Sequence, residues 1–227
     1  FYIEKYKKNP QVHFFDINTF VSLYGWKQLH DPKMFYLGEY IFAPKSITTL
    51  AYELMGYVKA ISGKTRKCIV LDLDNTLWGG VVGEDGLKGI VLGQNPPGNA
   101  YVAFQKTLLN YYKRGVLLSI NSNNNTEDVD EVFKNHPDMI LNMKHFAATR
   151  INWKDKATNM RDIADELNIG LDSMVFVDDD PNKRLMMRTL LPEVLTLEIP
   201  EDASLYSETI LQINDFTQLK VTKEDIL

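Results

Sequence analysis

The chain of 227 residues is 44% hydrophobic and 24% charged, a balance that excludes disorder and suits one full α/β domain plus an extra piece of several dozen residues. Its net charge of −5, with acidic and basic residues interspersed, offers no broad basic field for nucleic acid, and no apolar run approaches the ~20 residues of a membrane span. The single cysteine, Cys68, excludes an internal disulfide framework and a Cys-based zinc site, and with no apolar leader in FYIEKYKKNP the expected setting is cytoplasmic.

Residues 1–62 are dense in aromatics and poor in regular alternation, which predicts a small N-terminal α/β appendage, the tail of a truncated upstream domain. Its clearest element is a helix with Ser46 as N-cap and Ile47, Leu50, Ala51, Leu54, Val58 and Ile61 at helical spacing. The polar run 62–67 ends that helix and marks a domain boundary. From there the pattern alternates: strand 68–73, a glycine-rich stretch, helix 98–114, strand 116–120, helix 126–135, strand 138–141, helix 155–168, strand 173–177, helix 181–190 and strand 194–198. Residues 201–227 read as a helical extension or linker, and the ends at Phe1 and KVTKEDIL predict a segment of a longer protein. The strands are continuous apolar runs (CIVL, VLLSI, SMVFV, VLTL), as strands buried on both faces should be. The fold class predicted for 67–200 is therefore α/β, a doubly wound parallel sheet that binds ligands beyond the carboxyl ends of its strands.

At those ends stand Asp72 and Asp74 after CIVL, and Asp178, Asp179 and Asp180 after SMVFV. So many carboxylates in one crevice repel unless a cation compensates, and a donor set of hard oxygens without His or Cys favours Mg²⁺. A single strand-end Asp is more simply a helix cap, but a cap needs one acid and not three in a row. Ser122 after VLLSI and Lys156 at the start of a later helix stand where each could hold a phosphoryl oxygen, and Lys154 competes for the second role. The four histidines show no metal-ligand spacing, and Cys68 reads as core. Gly63-Lys64-Thr65 lacks the earlier glycine of a P-loop and precedes its strand instead of following it.

The order Asp-x-Asp, Ser, Lys, Asp-Asp resembles the haloacid dehalogenase (HAD) superfamily of phosphotransferases. The wording KCIVLDLDNTLWGGVVGEDG, SNNN, INWKDKATNMRDIADELNIGLDS and VFVDDDP is similar to FkbH-like proteins. This resemblance implies a HAD-type Rossmann-like core with Asp72 as nucleophile forming an aspartyl-phosphate and Asp74 as general acid and base. It further implies that Ser122, Asn123 and Lys156 bind phosphate and that Asp72, Asp74 (through its backbone carbonyl) and Asp178 hold Mg²⁺, supported by Asp179. Asn123 stands where many relatives carry Lys. The superfamily places a short helical turn and a β-hairpin flap after the first motif, a role that Thr76, Trp78, Gly79 and Gly80 and the turn at Asp85-Gly86 would fill. Trp78 would line the entrance or sit half-buried.

The spacings from Asp74 to the strand at 116 and from Ser122 to Lys156 are too short for a folded cap domain, so an open catalytic face is expected. Such a face suits a phosphorylated small molecule or acyl-phosphate and, by the FkbH resemblance, an acyl carrier protein receiving a glyceryl unit from 1,3-bisphosphoglycerate. A phosphatase of small metabolites and an inactive partner-binding module are the competing expectations.

Overall fold

The structure, a computed structural model, describes residues 5, 6, 9 and 11–217, which divide into two compact units, the first reaching to Lys64 and including Thr217, the second Thr65–Phe216. The closing residues 218–227 lie outside the described ones.

The first unit carries α1 (Ile17–Tyr24), α2 (Trp26–Leu29), α3 (Pro32–Gly38) and α4 (Ile47–Ile61). Asp16 and Asp31 start α1 and α3 by accepting main-chain N–H bonds from the first helical turn. No strand occurs among this unit's described residues, so they are helical and not the α/β mixture expected. Helix α4 runs where the spacing puts it, but Ser46 does not cap it: the Ser46 hydroxyl donates instead to the Leu29 carbonyl at 3.0 Å. Its apolar stripe is also turned outward. Ile47, Leu54, Val58 and Ile61 are exposed, while the side bearing Gly56 and Tyr57 turns inward, where Tyr57 meets Phe15 edge-on.

The second unit is built on five parallel strands, β1 (Cys68–Leu71), β2 (Leu117–Ser122), β3 (Phe146–Ile151), β4 (Met174–Val177) and β5 (Leu195–Thr196), in the spatial order β3-β2-β1-β4-β5. Between them run α5 (Val82–Gly89), α6 (Gly98–Lys113), α7 (Thr126–Asn135), α8 (Lys156–Leu167) and α9 (Pro181–Leu190), and α10 (Tyr206–Leu211) follows. Every residue of β1 and β4 is buried, because alternate residues serve two cores. Ile69, Leu71, Val175 and Val177 join Phe104 and Leu108 of α6 and Val129 and Val132 of α7, together with Tyr206, Ile210 and Phe216. Cys68, Val70, Met174 and Phe176 join Ala157, Met160 and Ile163 of α8 and Met187 of α9. The result is the expected three-layer, doubly wound sandwich. Removing one of the buried Leu, Ile or Met side chains down to Ala costs about 2–5 kcal/mol.

Two expectations fail locally. The strand expected at 138–141 is absent: the Ile140 and Leu141 N–H groups go to the buried Gln105 Oε1 at 2.9 and 3.1 Å, and the third strand is 146–151 instead. The β-hairpin flap is also absent. Residues 82–89 are helical with a break at Gly86 (φ 65°), closed at its base by Gly79 and Val91, which exchange N–H···O bonds of 3.0 and 2.8 Å.

Candidate active site

Register puts the candidate residues on one edge. Leu71 lies opposite Ile120 of β2 and Val177 of β4, so Asp72 and Asp178 leave the sheet at the same level, beside Asn121, which is still paired with β3. The Asp72 N–H donates to the Val177 carbonyl at 2.9 Å, extending the ladder one step into the crevice. Lys156, the first residue of α8, is 2% exposed and bridges the two strand ends: its Nζ lies 3.0 Å from Asp72 Oδ2 and 2.5 Å from Asp178 Oδ2. Burial alone would lower the Lys156 pKa, but the Asp72 and Asp178 charges overcome it and raise it, so the ammonium is held.

One ammonium does not balance the acids. Asp72, Asp178 and Asp179 each place a carboxylate oxygen within 4.8 Å of the others. Asp178, wholly buried, has its carboxyl pushed up to about 6 by desolvation and by Asp72, against the pull of Lys156. Asp179 also rises to about 6 through burial and the charges of Asp72 and Asp178. Asp72 Oδ1 is buried without a hydrogen-bond partner among the described residues, a costly state for a carboxylate oxygen. An excess of buried negative charge, an oxygen-only donor set and a vacant lone pair are the conditions that a hard divalent cation relieves. The residues therefore fit such an ion.

Asp74 lies in different surroundings. Its Oδ1 accepts from Trp78 Nε1 (2.9 Å) and from the Val82 N–H (3.1 Å), and its Oδ2 from Asn124 Nδ2 (2.9 Å). The Asp74 side chain, turned to these donors, is not in the carboxylate trio, which Asp72, Asp178 and Asp179 make up. Trp78 neither lines the entrance nor sits half-buried: it is fully enclosed, edge-on to Phe133, because its N–H is needed on Asp74. Thr76 is likewise buried. Gly80, at φ 89°, gives its N–H to Asn75 Oδ1, and a Cβ there would sit 2.5 Å from the Asp85 carboxylate. A Cβ on Gly79 would press on the Tyr101 ring at 3.0 Å. These glycines are fixed by close approach and not by a hinge.

Ser122 ends β2 almost fully buried, and its hydroxyl oxygen accepts from Asn124 Nδ2 at 3.2 Å. The Asn123 side chain does not join it: its amide donates to the carbonyls of Asn152 and Lys154 at 2.9 and 3.0 Å. Lys154 is exposed, so of the two competing lysines Lys156 is the one beside the acids.

Several residues the sequence reading passed over hold this arrangement. Asn121, fully buried, donates to the Lys156 carbonyl (2.8 Å) and accepts from Asn159 (3.1 Å), which locks the start of α8 against β2. Arg184 donates to the carbonyls of Asp178 and Asp179 at 2.8 and 2.6 Å, fixing the turn that aims both acids. The Tyr206 hydroxyl donates to the Asn75 carbonyl at 3.1 Å. The only signal in the sequence was polarity inside otherwise apolar runs, which does not reveal a partner.

No protein-family model matches the chain, and no curated protein does. Among solved structures it is similar to the N-terminal part of the protein BF1531 from Bacteroides fragilis, a crystal structure described as containing a phosphatase domain complexed with Mg. The two share 34% identity at a TM-score of 0.88 over 96% of this chain, which spans 58% of the length of that one.

Proposed function

We propose that this chain is a Mg²⁺-dependent phosphatase or phosphotransferase of the HAD type that works through an aspartyl-phosphate on Asp72. The observation that carries the reading is the trio Asp72, Asp178 and Asp179 around a buried, unpartnered Asp72 oxygen with Lys156 alongside. The likeness to a domain described as a phosphatase with Mg supports it. Asp72, Asp178 and Asp179 would hold the ion, with the Asp74 main-chain carbonyl added by the HAD resemblance. Bound there, Mg²⁺ would neutralise phosphoryl oxygens and so lower the repulsion that a carboxylate nucleophile meets.

The chain's own groups supply the rest. Lys156 and the Ser122 hydroxyl hold phosphoryl oxygens, and Asp72 attacks phosphorus. Asp74, clamped by Trp78, Val82 and Asn124, protonates the leaving oxygen and then takes a proton from the water that releases phosphate. Turnover of 4-nitrophenyl phosphate with Mg²⁺, abolished by EDTA and in Asp72→Asn, is the expected result. Equal turnover by wild type and Asp72→Asn would remove this reading.

A narrower reading concerns the acceptor. The FkbH-like motif wording, and segments after β1 and β2 that carry no inserted domain among the described residues, favour glyceryl transfer from 1,3-bisphosphoglycerate to a carrier-protein thiol, with phosphate removal at the same site. Mass spectrometry of a carrier protein incubated with both decides it: no glyceryl adduct, with phosphate still released from small metabolites, leaves the phosphatase alone.

A further inference from the structure

Trp153, in the loop between β3 and α8, is the most exposed large hydrophobic residue among the described residues of the second unit, at 72%. A lone exposed apolar side chain needs no explanation when it is free to move. This one is not free. Its N–H donates to Asn125 Oδ1 at 3.2 Å, and Asn125 is itself tied to Asp128. The carbonyls on either side of Trp153 both accept from Asn123 Nδ2, and the Asn152 N–H donates to the Ser122 carbonyl at 3.1 Å. The run Ser122-Asn123-Asn124-Asn125 thus divides its labour: Asn124 serves Asp74 and Ser122, while Asn123 and Asn125 present the indole. The ring is three residues from Lys156 along the chain and is pinned to the strand end that carries Ser122.

We propose that Trp153 is a leaving-group subsite beside the phosphoryl position, taking phosphate esters whose alcohol part presents a flat or apolar face; this rests on the phosphatase reading of the Asp72 crevice. With its N–H already satisfied by Asn125, the indole offers its faces without leaving a buried donor unpaired. With its loop already clamped, docking against it costs little ordering entropy. A small polar leaving group gains nothing from either property.

The test compares 4-nitrophenyl phosphate with acetyl phosphate, both with Mg²⁺. In Trp153→Ala the KM for the aryl ester should rise ~10-fold relative to that for acetyl phosphate, with the kcat ratio of the two substrates steady within about twofold. Trp153→Phe should recover most of the loss, and Asn125→Ala, which frees the ring, should fall between. If the two KM values move by the same factor, the subsite is refuted. If wild type turns over neither substrate, the phosphatase reading falls, and the subsite is judged by indole emission instead. A change with phenylphosphonate and not with methylphosphonate, lost in Trp153→Phe, upholds it; equal responses overturn it.

Discussion

Asp72 and Asp74 flank Leu73 at the end of β1, yet they belong to two different regions of the crevice. Toward β4, Asp72 meets a buried lysine and two further acids, and one of its oxygens has no hydrogen-bond partner among the described residues. Toward β2, Asp74 is wrapped by three uncharged donors from Trp78, Val82 and Asn124. A group that must bond to phosphorus or metal needs free lone pairs and a compensating cation, whereas a proton carrier needs fixed aim. The surroundings of the two carboxylates thus differ in the sense that the two proposed roles require, although their residue type and strand position are nearly the same.

The hardest blow to the β4 side is Asp72→Asn, which should lower kcat by ~10⁴-fold or more and abolish trapped phosphoenzyme. Lys156→Met should come next, leaving Asp72 and Asp178 facing each other unpaired. A loss of about 3–5 kcal/mol in Mg²⁺-free urea unfolding is expected, and an unchanged midpoint would mean that the lysine does not hold the acids together. On the β2 side Asp74→Asn should slow turnover by ~10²–10⁴-fold while still allowing phosphoenzyme to form. If it blocks labelling as fully as Asp72→Asn, the distinction between the regions collapses. Asn124→Ala removes one donor of three from Asp74 and should cost only ~10-fold in kcat, with labelling intact.

The smallest effect is in pH. Asp178 and Asp179 titrate near 6 in the metal-free protein, above the ordinary 3.8, because burial and Asp72 favour their neutral forms. A raised carboxyl pKa gives stability that is complete below the unfolded value and disappears as pH rises through the folded one. The metal-free melting temperature should therefore fall between pH 4 and about 7, and added Mg²⁺ should raise it more at pH 7.5 than at pH 5. A Mg²⁺ shift independent of pH would separate the ion from these acids.

The parts legible in the sequence were those set by burial on both faces. CIVL and SMVFV read as central strands because no polar residue interrupts them, and the acids that follow had to emerge at the sheet edge. What escaped depends on partners distant in the chain. Met139-Ile140-Leu141 carries the apolar signature of a strand, but the Ile140 and Leu141 N–H groups are taken by Gln105 of α6 and that of Met139 by the His136 carbonyl, while Phe146–Ile151, with Thr149 and Arg150, pairs with β2. Asp85-Gly86 has the chemistry of a hairpin turn, yet Asp85 accepts from the Val81 N–H and the glycine instead breaks a helix. The Asn121–Asn159 pair and Arg184 behind Asp178 are visible only once α8 and α9 are packed.

The central place of β1 has a consequence in time as well as in space. Its flanking strands are β2 on one side and β4 on the other, so Cys68 lies beside Met174, far along the chain, while β2 and β3 pair locally. Closing so long a loop is slow relative to forming local contacts. Asp72, Asp74 and Ser122 can come together while β4 is still unplaced, but Lys156 then has only one of its two acids and Asp179 is absent from the cluster. A copy in which β4 has not docked therefore lacks Asp178 and Asp179 and carries no finished crevice.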